Sequence, residues 1–332
     1  MKYTKFGASG LTVSQVCLGT APFGKQTDEE TAYKTLDVAA EAGVNFIDTA
    51  DAYPMGADLS LVGRTEEIVG SWLYDKRDQF IVATKAGGAM GPAHWEQGGS
   101  RKHLLDAIDE SLRRLRTDYV DLFQLHFDDP ETPLDETLEA LDTIVRAGKA
   151  RYVGVSNFLA YRLARAVGRT ESLHLTRVAS IQPRYNLLFR QIERELLPLA
   201  SEEGIAVIPF NPLAGGLLTG KYRADEQPTE GRFSQEVGED FANLYRGRYW
   251  QQRQFDTVNK LSEIAAEAGE SLARVSIAWV LANPTITSAI LGASRPEQLT
   301  DTLTAVDIEL PSEVKTSLDE ITQEYRWGDA AR

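Results

Sequence analysis

The chain has 332 residues, a length that suits one large α/β barrel or two ordinary domains. Its 35 Lys and Arg against 49 Asp and Glu give a net charge of −14, which argues against nucleic acid or an anionic membrane surface as a partner. A single cysteine, Cys17, excludes an internal disulfide framework, and its apolar surroundings favour a buried packing thiol. There is no leader-like segment and no apolar run of about 18 residues, so we expect a cytoplasmic protein.

Strand and helix signals alternate along the chain. Residues 1–15 predict a short hairpin that turns at Gly10. Apolar strand runs follow at 16–19, 44–48, 80–85, 119–126, 150–156, 178–182, 205–210 and 287–292. Helical periodicity separates them, for example at 29–42, 65–73, 101–115, 134–147 and 251–268. This order predicts the α/β class and a parallel (β/α)8 TIM barrel. No flexible linker interrupts it, so we expect one domain over residues 1–332.

Two long insertions follow predicted strands. One spans residues 54–67, and the other spans residues 211–250, which are polar and rich in glycine at their start. Both should open on the C-terminal mouth of the barrel, where loops shape ligand sites. We expect residues 217–249 of the second insertion to be too hydrophilic to bury themselves and to become ordered on a bound cofactor. The insertion gathers four cations in an acidic protein: Arg223, Arg232, Arg246 and Arg248. Trp327 near the end of the chain either covers the mouth or lies in a frayed tail.

Four chemically active side chains stand at the ends of three consecutive predicted strands: Asp48, Tyr53, Lys85 and His126. The C-terminal strand ends of a βα barrel converge on one mouth, so these residues should be neighbours. A phenol with a pKa near ~10 is a poor acid, but an adjacent ammonium lowers that pKa. Lys85 can supply this charge, Asp48 can hold Lys85, and His126 can orient a substrate oxygen. Each has a structural explanation by itself, but together they predict a proton-donating site for carbonyl reduction. Three other histidines show no metal-ligand spacing, so no metal site is expected: His94, His103 and His174.

Seven stretches carry a family resemblance over nearly the full length. They are "GVNFIDTADAY", "ATK", "SLRRLRTDYVDLFQLH", "GKARYVGVSN", "IQPRYNLLFR", "NPLAGGLLTGKY" and "LGASRPEQL". With them the chain resembles the aldo-keto reductase superfamily, in the branch of bacterial general aldehyde or ketone reductases and the related potassium-channel β subunits. The resemblance implies a (β/α)8 barrel, NADPH as cofactor and a small carbonyl compound as the substrate that is reduced to an alcohol. It also implies that the four strand-end residues are the catalytic set.

The resemblance further implies where NADPH binds. Ser156, Asn157 and Gln182 would hold the nicotinamide amide, which suits their hydroxyl and amide groups. Phe210 would stack on the nicotinamide ring, its alternative being a core aromatic. Residues 215–217 would offer free backbone N–H groups to the pyrophosphate. The remaining implied contacts are Gly19, Thr20, Asp48, Asn211, Pro212, Leu213, Gly215, Leu217, Lys221, Arg232 and Gly292.

The segment "GASRPEQL" opens a predicted helix, whose N-terminus favours an anion. Ser294 and Arg295 would bind the 2′-phosphate that distinguishes NADPH from NADH, and Gln298 would contact adenosine. The sequence departs from a common family pattern at three places. Gly292 and Ala293 replace a Lys-Ser pair, Thr302 replaces an asparagine and Asn211 replaces a serine.

Two functions stay open. The chain could be a reductase or a cofactor-binding regulatory subunit with slow reductase chemistry, and a homo-oligomer is compatible with either function. The substrate is not specified, although Trp95 and Phe127 indicate an apolar wall that suits aryl or other hydrophobic carbonyl compounds.

Overall fold

The computed structural model describes residues 1–56 and 58–327. An antiparallel hairpin, β1 (Tyr3–Lys5) and β2 (Thr12–Ser14), precedes a parallel eight-stranded sheet, as predicted. The sheet strands are β3 (Val16–Gly19), β4 (Phe46–Asp48), β5 (Ile81–Ala86), β6 (Val120–Leu125), β7 (Ala150–Ser156), β8 (Val178–Gln182), β9 (Ala206–Val207) and β10 (Ala289–Gly292).

The sheet closes into the predicted (β/α)8 barrel. Its order is β10-β3-β4-β5-β6-β7-β8-β9, so β10 and β9 are the two ends to be joined. The Thr287 N–H donates to the Val207 carbonyl at 2.8 Å and the Ile290 N–H donates to the Pro209 carbonyl at 2.9 Å, which joins them. β9 is shorter than the predicted strand at 205–210 because Pro209 has no N–H to donate to a ladder.

Helices surround the barrel. They are α1 (Glu29–Glu41), α2 (Arg64–Leu73), α3 (Arg101–Leu115), α4 (Leu134–Arg146), α5 (Ala160–Ser172), α6 (Leu196–Glu202), α7 (Glu239–Tyr249), α8 (Gln252–Glu267), α9 (Leu272–Leu281), α10 (Pro296–Leu303) and α11 (Ser312–Ile321). The five predicted helices are confirmed to within a residue or so at either end. Several begin where the sequence supplies a cap: the side chains of Asp28, Ser100 and Ser271 accept a backbone N–H of the first turn.

The core has two layers because successive strand residues point to opposite faces. Inside the barrel lie Phe6, Cys17 and Phe46, while Leu18 and Ile47 pack outward against the helices. Phe6 comes from the N-terminal hairpin and meets Phe46 edge-to-face, with ring centroids 5.9 Å apart. Cys17 is fully buried, as predicted, and burial raises its pKa well above the ordinary value. The hairpin therefore fills the N-terminal end of the barrel and leaves the C-terminal end for a site.

The second insertion corrects one expectation. It is not too hydrophilic to bury itself, because aromatic side chains within the polar run pack on one another. Phe233, Tyr245 and Tyr249 are almost fully buried, and the rings of Phe233 and Trp250 lie 4.8 Å apart. The first insertion touches the second at Gly56, where a Cβ would lie 1.8 Å from the Val237 carbonyl oxygen. The two insertions therefore form one wall of the mouth.

The C-terminal segment packs on the loop after β8. The Arg190 N–H donates to the Tyr325 carbonyl at 3.0 Å, and the Arg194 guanidinium lies 4.8 Å from the Trp327 ring centroid. Trp327 remains 53% exposed, and the rest of the tail lies outside the described residues. None of the helices in residues 1–56 and 58–327 combines the length and the apolar character that a membrane crossing requires.

Candidate active site

The barrel brings the four predicted catalytic residues together. Asp48 ends β4, Lys85 lies near the end of β5 and His126 directly follows β6. The Lys85 ammonium donates to Asp48 Oδ2 at 2.6 Å and to the Thr49 carbonyl at 2.7 Å, and both charged side chains are buried. The Tyr53 ring centroid lies 5.0 Å from Lys85 Nζ and 5.7 Å from the His126 ring centroid. A phenol, an ammonium and an imidazole thus share one pocket wall.

Two side-chain amides hold the other oxygen of the Asp48 carboxylate. Asp48 Oδ1 accepts from Gln182 Nε2 at 2.9 Å and from Gln124 Nε2 at 3.2 Å. Gln124 is absent from the sequence-based site. The available signal was a polar residue inside the apolar run of β6, two residues before His126 and directly opposite Lys85 in the parallel register. The two amides orient the carboxylate, so that Oδ2 is aimed at Lys85.

Burial and charge act in opposite directions on Lys85 and Tyr53. For Lys85, burial is the largest influence and favours the neutral amine, but Asp48 and then Tyr53 outweigh it and raise its pKa. For Tyr53, burial is the largest influence and raises the pKa, while the Lys85 charge lowers it only in part. The expectation that Lys85 brings the Tyr53 pKa below its ordinary value is therefore wrong for the protein alone. Tyr53 holds its proton at neutral pH.

His126 is a neutral imidazole. Burial, followed by the repulsion of the Lys85 charge, holds its pKa well below the ordinary value. Nδ1 is buried and has no hydrogen-bond partner anywhere in residues 1–56 and 58–327. The Phe127 ring stacks on the imidazole with centroids 4.3 Å apart and an interplanar angle of 8°. A neutral imidazole, which carries an N–H on one of its two ring nitrogens, is thereby held beside Tyr53 and covered by an aromatic ring.

The three residues predicted to hold the nicotinamide amide lie beside these groups. Ser156 Oγ donates to the Gln182 carbonyl at 2.8 Å, and Asn157 Nδ2 donates to the His126 carbonyl at 3.0 Å. Asn157 adopts a left-handed backbone, with φ of 59°, which turns its amide toward β6. In the described part of the chain, Asn157 Oδ1 and Gln182 Oε1 accept no hydrogen bond. Two carbonyl acceptors therefore remain for an amide N–H2 group.

The turn after Phe210 is built differently from the prediction. The Gly215 N–H donates to Asn211 Oδ1 at 2.6 Å and the Gly216 N–H donates to the Leu213 carbonyl at 2.8 Å, so these two groups are not free for a phosphate. Both glycines have positive φ, 71° and 99°, which requires glycine in this turn. The Asn211 side chain stabilises this turn, because its Oδ1 accepts from the Gly215 N–H while its Nδ2 donates to the Tyr249 hydroxyl at 3.0 Å. Among the other predicted contacts here, Phe210 and Leu213 are half-buried, whereas Pro212 and Leu217 are buried.

The predicted adenosine end is formed by β10, α10 and the second insertion. Gly292 pairs in register with Gly19, and Arg232 Nη2 lies 3.8 Å from the position of a Gly292 Cβ. Burial, and then the Arg295 charge, lower the pKa of Lys221. Arg295 lies 3.8 Å from the carboxylate of Glu230, and both side chains are exposed. Lys221, Arg232 and Arg295 therefore form a cationic surface, whose charge Glu230 neutralises only in part.

Two predicted contacts are engaged with other parts of the protein. Thr20 is fully buried, and its hydroxyl donates to the Asp48 carbonyl at 3.0 Å, so its side chain fixes the end of β4. Ser294 donates through both its N–H and its hydroxyl to Gln298 Oε1, each at 3.1 Å. Gln298 thus occupies the donors that were predicted for a phosphate.

Comparisons with known proteins agree with this geometry. The family model for the aldo/keto reductase family matches residues 15–323. An uncharacterised oxidoreductase of Bacillus subtilis, YrpG, is 38% identical over 97% of this chain and 96% of its own length. A probable voltage-gated potassium channel subunit beta of Oryza sativa subsp. japonica is 37% identical over 97% of both chains. The L-glyceraldehyde 3-phosphate reductase of Escherichia coli K12 is 35% identical over 92% of this chain and 88% of its own. The chain belongs to the aldo/keto reductase family of oxidoreductases.

Proposed function

We propose that this protein reduces the carbonyl group of small aldehydes or ketones to alcohols with NADPH, and that Tyr53 donates the proton. The observation that carries the proposal is the buried Lys85–Asp48 ion pair, which lies beside a protonated phenol and a neutral imidazole. Buried charges of this kind are costly and rarely kept without a use. Here they face the mouth of a barrel, where the active sites of this fold lie.

The residues of the mouth fit a nicotinamide dinucleotide. Asn157 Oδ1 and Gln182 Oε1 are available to accept from a carboxamide, and the half-buried Phe210 offers a ring face beside them. When bound, the reduced cofactor supplies hydride to the carbonyl carbon. Lys221 and Arg295 present positive charge for a phosphate on the ribose, which favours NADPH over NADH.

Each catalytic side chain has a distinct task. The His126 Nε2–H donates to the carbonyl oxygen and holds it near the Tyr53 hydroxyl. Tyr53 gives its proton as negative charge develops on that oxygen, and the adjacent Lys85 ammonium stabilises the phenolate that remains. Asp48 keeps Lys85 charged, and Gln124 and Gln182 keep Asp48 oriented. Burial holds the phenol protonated until the reaction.

A second candidate is a cofactor-binding subunit with slow chemistry, in line with the identity to the rice channel subunit beta. The two functions differ in rate. Incubation of the purified protein with NADPH and a panel of aldehydes, ketones, quinones and sugars should give alcohol and NADP⁺ in equal amounts. The best substrates should reach turnover numbers of about 1 s⁻¹ or more. Tight NADPH binding without turnover of any panel member would favour the regulatory function.

A further inference from the structure

A second charged feature lies at the mouth, at the end of β8. Arg184 stands two residues beyond Gln182 and forms a parallel bridge with Phe210. On the neighbouring segment, which is β9 and its extension, Ala206 and Ile208 belong to the inner core of the barrel. Phe210 follows the same alternation, so its side chain also points inward. Arg184 shares that register, one layer above the Gln182 that bonds to Asp48. Its side chain is therefore directed to the mouth and not to the outer helices.

Among residues 1–56 and 58–327, the Arg184 guanidinium has aromatic neighbours and no anionic one. Its central carbon lies 3.6 Å from the Phe189 ring centroid and 5.7 Å from that of Tyr249. Burial lowers the pKa of Arg184, and the nearby charge of Arg248 lowers it further against the opposing influence of Tyr249. Burial raises the pKa of Tyr249 itself, so its hydroxyl stays neutral and supplies no counter-charge.

The paired state of Arg190, on the same loop, provides a contrast. Arg190 lies six residues further along and forms ion pairs with Glu193 at 2.8 Å and Asp319 at 3.1 Å. Across residues 1–56 and 58–327, neither Arg184 nor Arg248 has a carboxylate within 4.0 Å. Two like charges that share a half-buried site repel each other unless an anion lies between or beside them.

Arg184 is separate from the cations of the proposed dinucleotide site, whereas its neighbour Arg248 and the predicted cofactor contact Arg232 lie 5.6 Å and 5.4 Å from the same Tyr245 ring centroid. Lys221, Arg232 and Arg295 gather beside β10, whereas Arg184 extends β8. In the sheet order β9 separates β8 from the closure to β10. Arg184 and the adenosine end therefore lie on opposite sides of Phe210.

We propose that Arg184, assisted by Arg248, binds an anionic group of the carbonyl substrate. The preferred substrates are then compounds that carry a carboxylate or a phosphate ester besides the reacting aldehyde or ketone. A guanidinium stacked on an aromatic ring presents a rigid planar fork, which matches either oxyanion through two parallel hydrogen bonds. This assignment rests on the proposed reductase function, since it names the substrate class of the same site.

Matched substrate pairs test the assignment. 4-Carboxybenzaldehyde with 4-methylbenzaldehyde probes a carboxylate, and glycolaldehyde phosphate with glycolaldehyde probes a phosphate. In Arg184→Gln, kcat/KM for an anionic member should fall by about 10- to 100-fold, the range for a charged hydrogen bond, while the neutral member changes less than about twofold. Arg248→Gln should show the same selectivity with a smaller loss. Arg223→Gln, on an exposed side chain of the same insertion, is the control and should leave both members unchanged.

Other readouts separate the alternatives. Fluorescence titration should show the same NADPH affinity for Arg184→Gln as for the wild type. A lower NADPH affinity, with equal losses of kcat/KM for the charged and neutral substrates, would mean that Arg184 binds the cofactor. That result would overturn the proposal. Equal losses with unchanged NADPH affinity would also overturn it. Arg184→Lys keeps the charge without the fork, and it should retain an intermediate preference if the glutamine variant does not fold.

A wild-type protein that turns over no carbonyl compound would contradict the reductase function by itself. Calorimetry with 4-(hydroxymethyl)benzoate and 4-methylbenzyl alcohol on the NADP⁺ complex then tests Arg184 without turnover. Preference of the wild type for the carboxylate, lost in Arg184→Gln, supports the anion site. Equal binding of the two alcohols contradicts it.

Discussion

The Lys85–Asp48 pair predicts a large and specific cost when its carboxylate is removed. Asp48→Asn keeps the shape of the side chain and an oxygen that can accept from Gln182 and Gln124. It removes the only carboxylate within ion-pair distance of Lys85 in the described structure. The ammonium would keep its bond to the Thr49 carbonyl but lose its counter-charge. The substitution therefore removes the counter-charge and sets an amide N–H2 group against the ammonium.

The magnitude follows from burial. The side chain of Lys85 is 0% exposed and that of Asp48 is 3% exposed, with 2.6 Å between the charged atoms. Breaking a buried pair by removing one partner costs about 3–5 kcal/mol, because a charge is left without solvent or a counter-ion. Lys85→Met should also destabilise the protein. The double variant, in which no charge remains isolated, should cost less than the two single variants together.

Urea denaturation at pH 7 provides the free energies of unfolding. The matched control is Arg101→Gln, which removes an ion pair to Glu139 of the same 2.6 Å length between side chains that are 41% and 46% exposed. That change should cost less than about 1 kcal/mol. A cost below about 1 kcal/mol for Asp48→Asn, or strictly additive costs in the double variant, would refute the reasoning.

Three further predictions concern single features. His126 has a folded-state pKa well below its ordinary value, so its contribution to stability is complete above about pH 6.5 and declines as the pH falls, at up to about 1.4 kcal/mol per pH unit. His126→Asn should show a smaller loss between pH 6.5 and 5 in urea denaturation, and parallel curves would contradict the assignment. Arg295→Ala should weaken NADPH binding by about tenfold or more and leave NADH nearly unchanged, since a charged hydrogen bond contributes about 1.5–3 kcal/mol; equal losses would place Arg295 away from the 2′-phosphate. We also expect NADPH to protect the second insertion from trypsin between Lys221 and Arg248, because a cofactor that contacts Lys221 and Arg232 would hold the insertion against it; equal cleavage rates with and without NADPH would contradict this.

The barrel and the meeting of the four catalytic residues could be predicted because both depend on local pattern. Each strand is an apolar run, and parallel strands in a barrel end at one mouth. Only β9 is much shorter than predicted, because Pro209 limits its ladder. The aromatic packing of the second insertion was hidden in a polar composition, since Phe233, Tyr245 and Tyr249 are separated by charged residues.

Features that depend on distances across the fold were not predictable. Gln124 reaches Asp48 only because the β5–β6 register sets it opposite Lys85. The direction of the Tyr53 pKa is decided by burial against one charge, a balance that sequence spacing does not contain. Likewise, Arg184 resembles a surface arginine after a strand until its missing counter-ion is seen among the described residues.

The most direct test of the account is a single-turnover measurement on Tyr53→Phe. With the enzyme in excess of NADPH and a good carbonyl substrate saturating, the variant should bind NADPH as the wild type does. Its rate of NADPH oxidation should fall by roughly 10²–10⁴-fold, because the proton donor is gone while the pocket is intact. A wild-type rate in Tyr53→Phe would contradict the central claim that this phenol protonates the substrate oxygen.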